Sequence, residues 1–155
     1  MKISILIMLI TFSPQINAQP KWIDLDIVRT NYGKAVSDKK LCMLMIKQLH
    51  TVKSNPIYLG YLGGFQTIRA KHVFNPLKKL STFKEGKKNL ELAITKEPQS
   101  AELRFIRLSI QKNAPSFLGY SNQMETDIIF IKIHKKQISS NIVLLNIDNL
   151  IDHKS

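Results

Sequence analysis

From Asp24 onward the apolar residues of this chain return every three or four positions, the spacing that lines one face of an α-helix. Leu25, Val28, Tyr32 and Ala35 carry the pattern over 24–36. Leu41, Met45, Leu49 and Val52 carry it from Lys39 to about Val52, behind a Ser37-Asp38 cap. Asn55-Pro56 then opens a third helix reaching His72 or Val73, since Asn caps well and Pro is tolerated as the first helical residue. Gly60, Gly63 and Gly64 all fall on that helix, where glycine is unfavourable, so a second helix is expected to approach closely there. Asn75-Pro76 starts a fourth, amphipathic helix with Leu80, Phe83, Leu90, Ala93 and Ile94 on one face and Lys84 and Lys88 opposite.

Ser100 caps a fifth segment, Ala101 to Lys112, with Leu103, Phe105, Ile106, Leu108 and Ile110 as its core residues. The stretch METDIIFIKIHKKQ, entered from Ser121 or Asn122, reads as a sixth helix. Its acidic start and basic end suit the helix dipole, and Ile129, Phe130 and Ile133 are its expected core contacts. SSNIVLLNIDNLIDHKS is expected to form a short final helix, with 139–155 as a frayed tail. The prediction is an all-α fold of antiparallel helical hairpins, about six helices, in a single domain over 19–155.

The first residues follow another rule. Lys2 precedes an almost unbroken apolar run, Ile3 to Phe12, then Ser13-Pro14-Gln15 breaks any helix and Ala18 offers a small residue before Gln19. This is the arrangement of a signal peptide over 1–18, cleaved after Ala18, and it predicts a soluble protein exported to the periplasm or the exterior. The run is about ten residues, half of what a bilayer span requires, and no later stretch is long enough, so no transmembrane span is expected in the mature chain. Cys42 is the only cysteine, which excludes an intrachain disulfide; within LCMLMI it reads as a small buried apolar residue, not a nucleophile.

One pattern occurs twice: KSNPIYLGY at 53–61 and KNAPSFLGY at 112–120, 59 positions apart. Both copies begin where a helix finishes, with Pro blocking its continuation and an aromatic-Leu pair following to pack on neighbours. The pattern reads as punctuation between helices. The aromatic residues Phe117 and Tyr120 are also candidates for a binding surface, because aromatic side chains at turns mark interfaces.

GKKNLELAITKEPQSAEL resembles the second helix of a tetratricopeptide repeat and its junction with the next repeat. Gly86 and Ala93 stand at that motif's small positions, Leu90 at its large one and Pro98 at its terminal proline. The resemblance covers half a repeat and implies a divergent tetratricopeptide-like array of α-hairpins. AKHVFNPLKKL with PQSAELRFIRLSIQKNAPSFLGY also resembles a group of small exported proteins of Bacteroidota-type bacteria, which again implies export and a helical fold.

Chemistry is sparse. His50, His72, His134 and His153 have no His, Cys or carboxylate at metal-ligand spacing, and no nucleophile elbow or phosphate loop is written in the chain. Gly63-Gly64 lies inside a helix and not after a strand, so it is not read as a phosphate cradle. No metal, cofactor or catalytic residue is expected. Arg104, Arg107 and Gln111 share one narrow face of the fifth helix, where a guanidinium can fork onto a ligand's carboxylate or phosphate. The same arginines can pair with Glu102, Asp127 or the carbonyls of a neighbouring helix end. The net charge is +12, and Lys78, Lys79, Lys84, Lys87 and Lys88 form a basic face, either simply solvated or a patch for an anionic polymer. No aromatic platform interleaves them, which argues against specific nucleic-acid binding. The reading is a non-enzymatic helical module with a protein partner. The alternatives are a basic protein for anionic envelope polymer and an enzyme whose site carries no recognisable motif.

Overall fold

The computed structural model describes residues 23–152, so the expected leader, its cleavage point and His153 lie outside the described residues. Seven α-helices follow one another: α1 (Leu25–Lys34), α2 (Lys39–Leu49), α3 (Pro56–Lys71), α4 (Pro76–Lys96), α5 (Ala101–Asn113), α6 (Met124–His134) and α7 (Asn141–Asp152). Short 3-10 turns at Ser116–Leu118 and Lys135–Gln137 flank α6, and no strand occurs among the described residues. The fold is all-α, as expected, and its seven helices include the short final one at the C-terminal end of the described residues.

The helix starts obey local chemistry. Asp24, Asp38, Asn55, Asn75 and Ser100 each accept a backbone N–H of the following turn, satisfying donors that have no intrahelical partner. Pro56 and Pro76 stand in the first turns of α3 and α4. α6 starts at Met124, the first residue of the expected stretch, but neither Ser121 nor Asn122 caps it and it has no side-chain cap.

α3 is the centre of the molecule and is packed by α1, α2, α4 and α5. It is apolar almost all round, as a surrounded helix must be, and Leu59 to Ile68 are all buried. α4 lies antiparallel to it: Gly60 faces Ala93, and Gly63 faces Gly86 and Leu90. A Cβ on Gly63 would stand 2.6 Å from the Gly86 carbonyl oxygen, and one on Gly86 would stand 2.5 Å from the Gly63 carbonyl oxygen. The two helices therefore touch backbone to backbone, as the glycines predicted. Cys42 is buried against this centre, its thiol pushed up to about 11 by burial and directed at the Phe65 carbonyl oxygen 3.3 Å away.

The core residues expected on α4 and α5 are buried, except that Leu80 is only half-buried. On α6 the expectation fails. Ile129 and Ile133 are 52% and 69% exposed and Phe130 is half-buried, whereas Ile131 and Asp127 are fully buried. Ile128, Ile129, Phe130, Ile131 and Ile133 surround the helix, with Lys132 the one polar residue among them, so periodicity does not choose an inward face. That choice is made by Asp127, which turns towards two arginines of α5.

Candidate functional site

α5 supplies both core and site. Its apolar residues face α3 while Arg104, Arg107 and Gln111, one turn apart, face α4 and α6. Arg107 donates from Nε to Asp127 Oδ2 at 2.7 Å and from Nη2 to Oδ1 at 2.6 Å, a bidentate fork in a buried setting. Its remaining nitrogen, Nη1, donates to Glu91 Oε2 of α4 at 2.9 Å. Arg104 adds a longer contact, Nη1 to Asp127 Oδ1 at 3.4 Å, and lays its guanidinium over the Phe130 ring at 5.0 Å. Burial works against the charge on Arg107, but the Asp127 and Glu91 carboxylates more than restore it and its pKa rises. A carboxylate as buried as Asp127 is tolerated because it accepts from both guanidiniums. Of the two carboxylates expected for these arginines, Asp127 is the partner; Glu102 is committed elsewhere.

Tyr120 closes the other side of Glu91, donating its hydroxyl to Oε1. Its ring meets Phe83 edge-on at 6.0 Å and carries Lys87 Nζ 4.5 Å above its centre. Tyr120 reaches this place because Gly119 takes a left-handed conformation, φ 58°, that a residue with a side chain rarely adopts. Burial first, and then the Glu91 bond, raise the Tyr120 pKa, so the hydroxyl stays a neutral donor. Phe117, three residues earlier, is 82% exposed.

Lys87, Glu91, Gln111, Gly119, Tyr120, Asn122 and Gln123 line a cavity of about 180 Å³. Gln111 is only 4% exposed, and its Oε1 has no hydrogen-bond partner among the described residues. Of the predicted residues only Gln111, Tyr120 and Lys87 line this opening; Arg107 reaches its Glu91 wall from behind, and Arg104 and Phe117 lie outside the lining. Arg107 is occupied by the chain's own carboxylates, Arg104 meets Asp127 but keeps a buried Nε without a partner among the described residues, Tyr120 is a wall, and Gln111 retains an unused acceptor. Lys78, Lys79, Lys84 and Lys88 are exposed, as a solvated face requires, while Lys87 is drawn off that face onto Tyr120.

A second network escaped the sequence reading. Arg29 of α1 forks onto Glu102 of α5, Nε to Oε1 and Nη2 to Oε2 at 2.8 Å each, and Tyr61 of α3 donates to Glu102 Oε1 at 2.8 Å. The repeated nonapeptide explains the likeness between the networks. Each copy ends in a buried tyrosine, Tyr61 or Tyr120, whose hydroxyl binds a glutamate held by an arginine. The copies differ in backbone, the first continuing inside α3 and the second folding into a 3-10 turn. The final tyrosine of each copy was the signal available in the sequence.

A larger cavity, about 380 Å³, lies at the start of α5 between 97–102 and 137–139. Two carboxylates line it, Glu97 and Glu102; Glu102 is already bound to Arg29 and Tyr61, and none of the predicted site residues lines it. No group of three or more His, Cys, Asp or Glu residues placed to hold a metal ion occurs among the described residues. Comparison of the chain with protein-family models, with curated proteins and with solved structures returns no match.

Proposed function

We infer that this chain is an exported, non-enzymatic helical module that binds another protein of the envelope or the exterior, through the opening beside Gln111. One observation carries the reading: a glutamine amide 4% exposed, with an unpartnered acceptor, in the wall of a small polar cavity two positions along the chain from which stands a nearly free phenylalanine. An unpaired buried acceptor is costly, and a partner's backbone N–H satisfies it. Phe117 offers the apolar anchor that protein interfaces concentrate on. Arg104 and Arg107 act behind this surface by holding α6 against α5. In the same reading the α3–α4 pair follows a tetratricopeptide-like register, supported by Gly86 and Ala93 both facing α3.

The test is affinity capture from the native host under native conditions, comparing the wild-type chain with Phe117→Ala and Gln111→Leu. Both variants are expected to fold normally and to lose a protein recovered repeatedly with wild type. Gln111→Leu removes the orphaned acceptor along with its partner requirement, so its stability should be unchanged or raised. Equal recovery by all three chains would overturn the reading. A second reading, binding of an anionic polymer, is favoured by the exposure of Lys78, Lys79, Lys84 and Lys88. It expects a polymer that elutes with salt and is lost when Lys84 and Lys88 become Gln.

A further inference from the structure

The end of the molecule formed by the α1–α2 and α3–α4 corners has a composition of its own. His72 and Ala35 tie the corners together, with His72 Nε2 3.0 Å from the Ala35 carbonyl oxygen. On the α3–α4 corner Phe74 is 97% and Leu77 81% exposed, and on the adjoining corner Val36 is exposed as well. This is not a loose loop: Asn75 accepts the Lys78 N–H at 3.0 Å and Pro76 starts α4, so Phe74 is held outward by a capped turn. Lys71, Lys78 and Lys79 flank the two apolar tips, and Lys34, Lys39 and Lys40 flank Val36; all are exposed and none is in an ion pair among the described residues. Asp38 is the one carboxylate on the two corners, and its oxygen is occupied in capping Leu41 at 2.9 Å.

We propose that this end docks reversibly on an anionic phospholipid surface, with Phe74 and Leu77 entering the headgroup–acyl boundary and the surrounding lysines on lipid phosphates. Two features favour lipid over a protein partner. The exposed cations are all lysines, Arg69 of the last α3 turn being half-buried. Lysines are flexible point charges suited to a fluid array of phosphates, whereas protein interfaces are depleted in lysine and rely on planar arginine forks. The apolar tips project and do not form a groove, and a projecting Phe and Leu ringed by lysine is the pattern of interfacial anchoring. Lysine stems can lie along the apolar layer while their ammonium groups stay in the phosphate region. The surface uses none of the residues around the Gln111 cavity, so it stands or falls independently of the protein-binding reading.

The experiment is flotation of the full mature chain with vesicles of phosphatidylcholine containing phosphatidylglycerol, and with vesicles of phosphatidylcholine alone. Anionic vesicles are expected to bind at least about tenfold more tightly at low salt, because each lysine near the surface adds to the attraction. Phe74→Ser with Leu77→Ser should weaken that binding about tenfold at an unchanged unfolding midpoint. Lys78→Gln with Lys79→Gln should weaken it and flatten its salt dependence. In a chain carrying Trp22→Phe and Phe74→Trp, indole emission should shift to the blue on anionic vesicles and be quenched by lipids brominated in their chains. Three results would overturn the proposal: no binding to anionic vesicles at low salt, equal binding by the serine variant, or an indole at position 74 that remains in water while the chain is bound. Saturable binding of a purified protein that is lost with the serine variant, without vesicle binding, would make this end a protein site instead.

Discussion

At the scale of single residues, Arg107 and Lys84 show how differently one kind of charge can serve. Arg107 uses all three of its guanidinium nitrogens, two on Asp127 and one on Glu91, and joins three helices. An ammonium at its place cannot reproduce the planar fork and leaves Asp127 under-compensated in a buried site. Arg107→Lys is therefore expected to lower stability by about 2–4 kcal/mol in urea unfolding. Lys84→Gln and Lys88→Gln, on exposed positions, should each change it by less than about 0.5 kcal/mol. An Arg107→Lys chain that unfolds at the wild-type midpoint yet no longer captures its partner would make the guanidinium a ligand group. The two readings of Arg104 and Arg107 made from the sequence differ only in who supplies the carboxylate. Sequence spacing placed both arginines on one face, but it did not show that Asp127, twenty or more residues away, would turn inward to meet them.

At the scale of helices, the α3–α4 contact is decided by what is missing from it. Gly63 and Gly86 let the two backbones meet, and a methyl at position 63 would have to displace the Gly86 carbonyl or the Leu90 backbone, neither of which is a flexible group. Gly63→Ala should accordingly cost about 3 kcal/mol or more by overpacking. Gly33 is the opposite case: on α1, exposed, with nothing within 4 Å of a Cβ built there. Gly33→Ala should stabilise by about 0.5–1 kcal/mol through helix propensity alone. Thermal melts of both variants check the pair, and the same sign for both changes would refute the packing account. Helix boundaries were readable because capping residues and prolines act locally. The inward face of α6 was not, because its apolar residues surround it and only a distant charge pair distinguishes one side.

At the scale of the whole molecule, the tyrosines set a limit on the alkaline side. Burial pushes the Tyr32 hydroxyl up to about 12, opposed by its bond with Ser109. Tyr61 and Tyr120 are also raised, by burial first and then by Glu102 and Glu91. In the unfolded chain these groups titrate near pH 10. Above that pH the unfolded chain releases protons that the folded one keeps, so the tyrosines' contribution to stability is complete below about pH 10 and falls as pH rises towards the folded values. Each tyrosine contributes a slope of about 1.4 kcal/mol per pH unit in that window. The buried Cys42 thiol, raised to about 11, starts the loss above about pH 9, and the tyrosines steepen it beyond about pH 10. Tyr32→Phe should remove one tyrosine's share of that limb, about 1.4 kcal/mol per pH unit. Neutralisation of the many lysines acts in the opposite direction but equally in both chains, so their difference isolates Tyr32. An identical alkaline limb in wild type and Tyr32→Phe would refute this account.

What the sequence determined by itself is what short-range chemistry controls. The three-and-four spacing made the chain helical, Asp, Asn, Ser and Pro marked where helices begin, and the glycines of α3 announced a close neighbour. It also brought Arg107, Gln111 and Tyr120 into one candidate set, because helical spacing and a repeated motif can be read along the chain. The tertiary structure alone decided which carboxylate met which guanidinium, that Lys87 would leave the basic face for an aromatic ring, and that Gln111 would be buried with an acceptor unused. It alone also joined the α1–α2 and α3–α4 corners into one lysine-rich end, although 35 and 72 are far apart in the chain. The physical reason is common to all of these. Caps and periodicities act within a few residues of where they are written, whereas ion pairs and surface patches depend on which distant helices the packing of α3 makes neighbours.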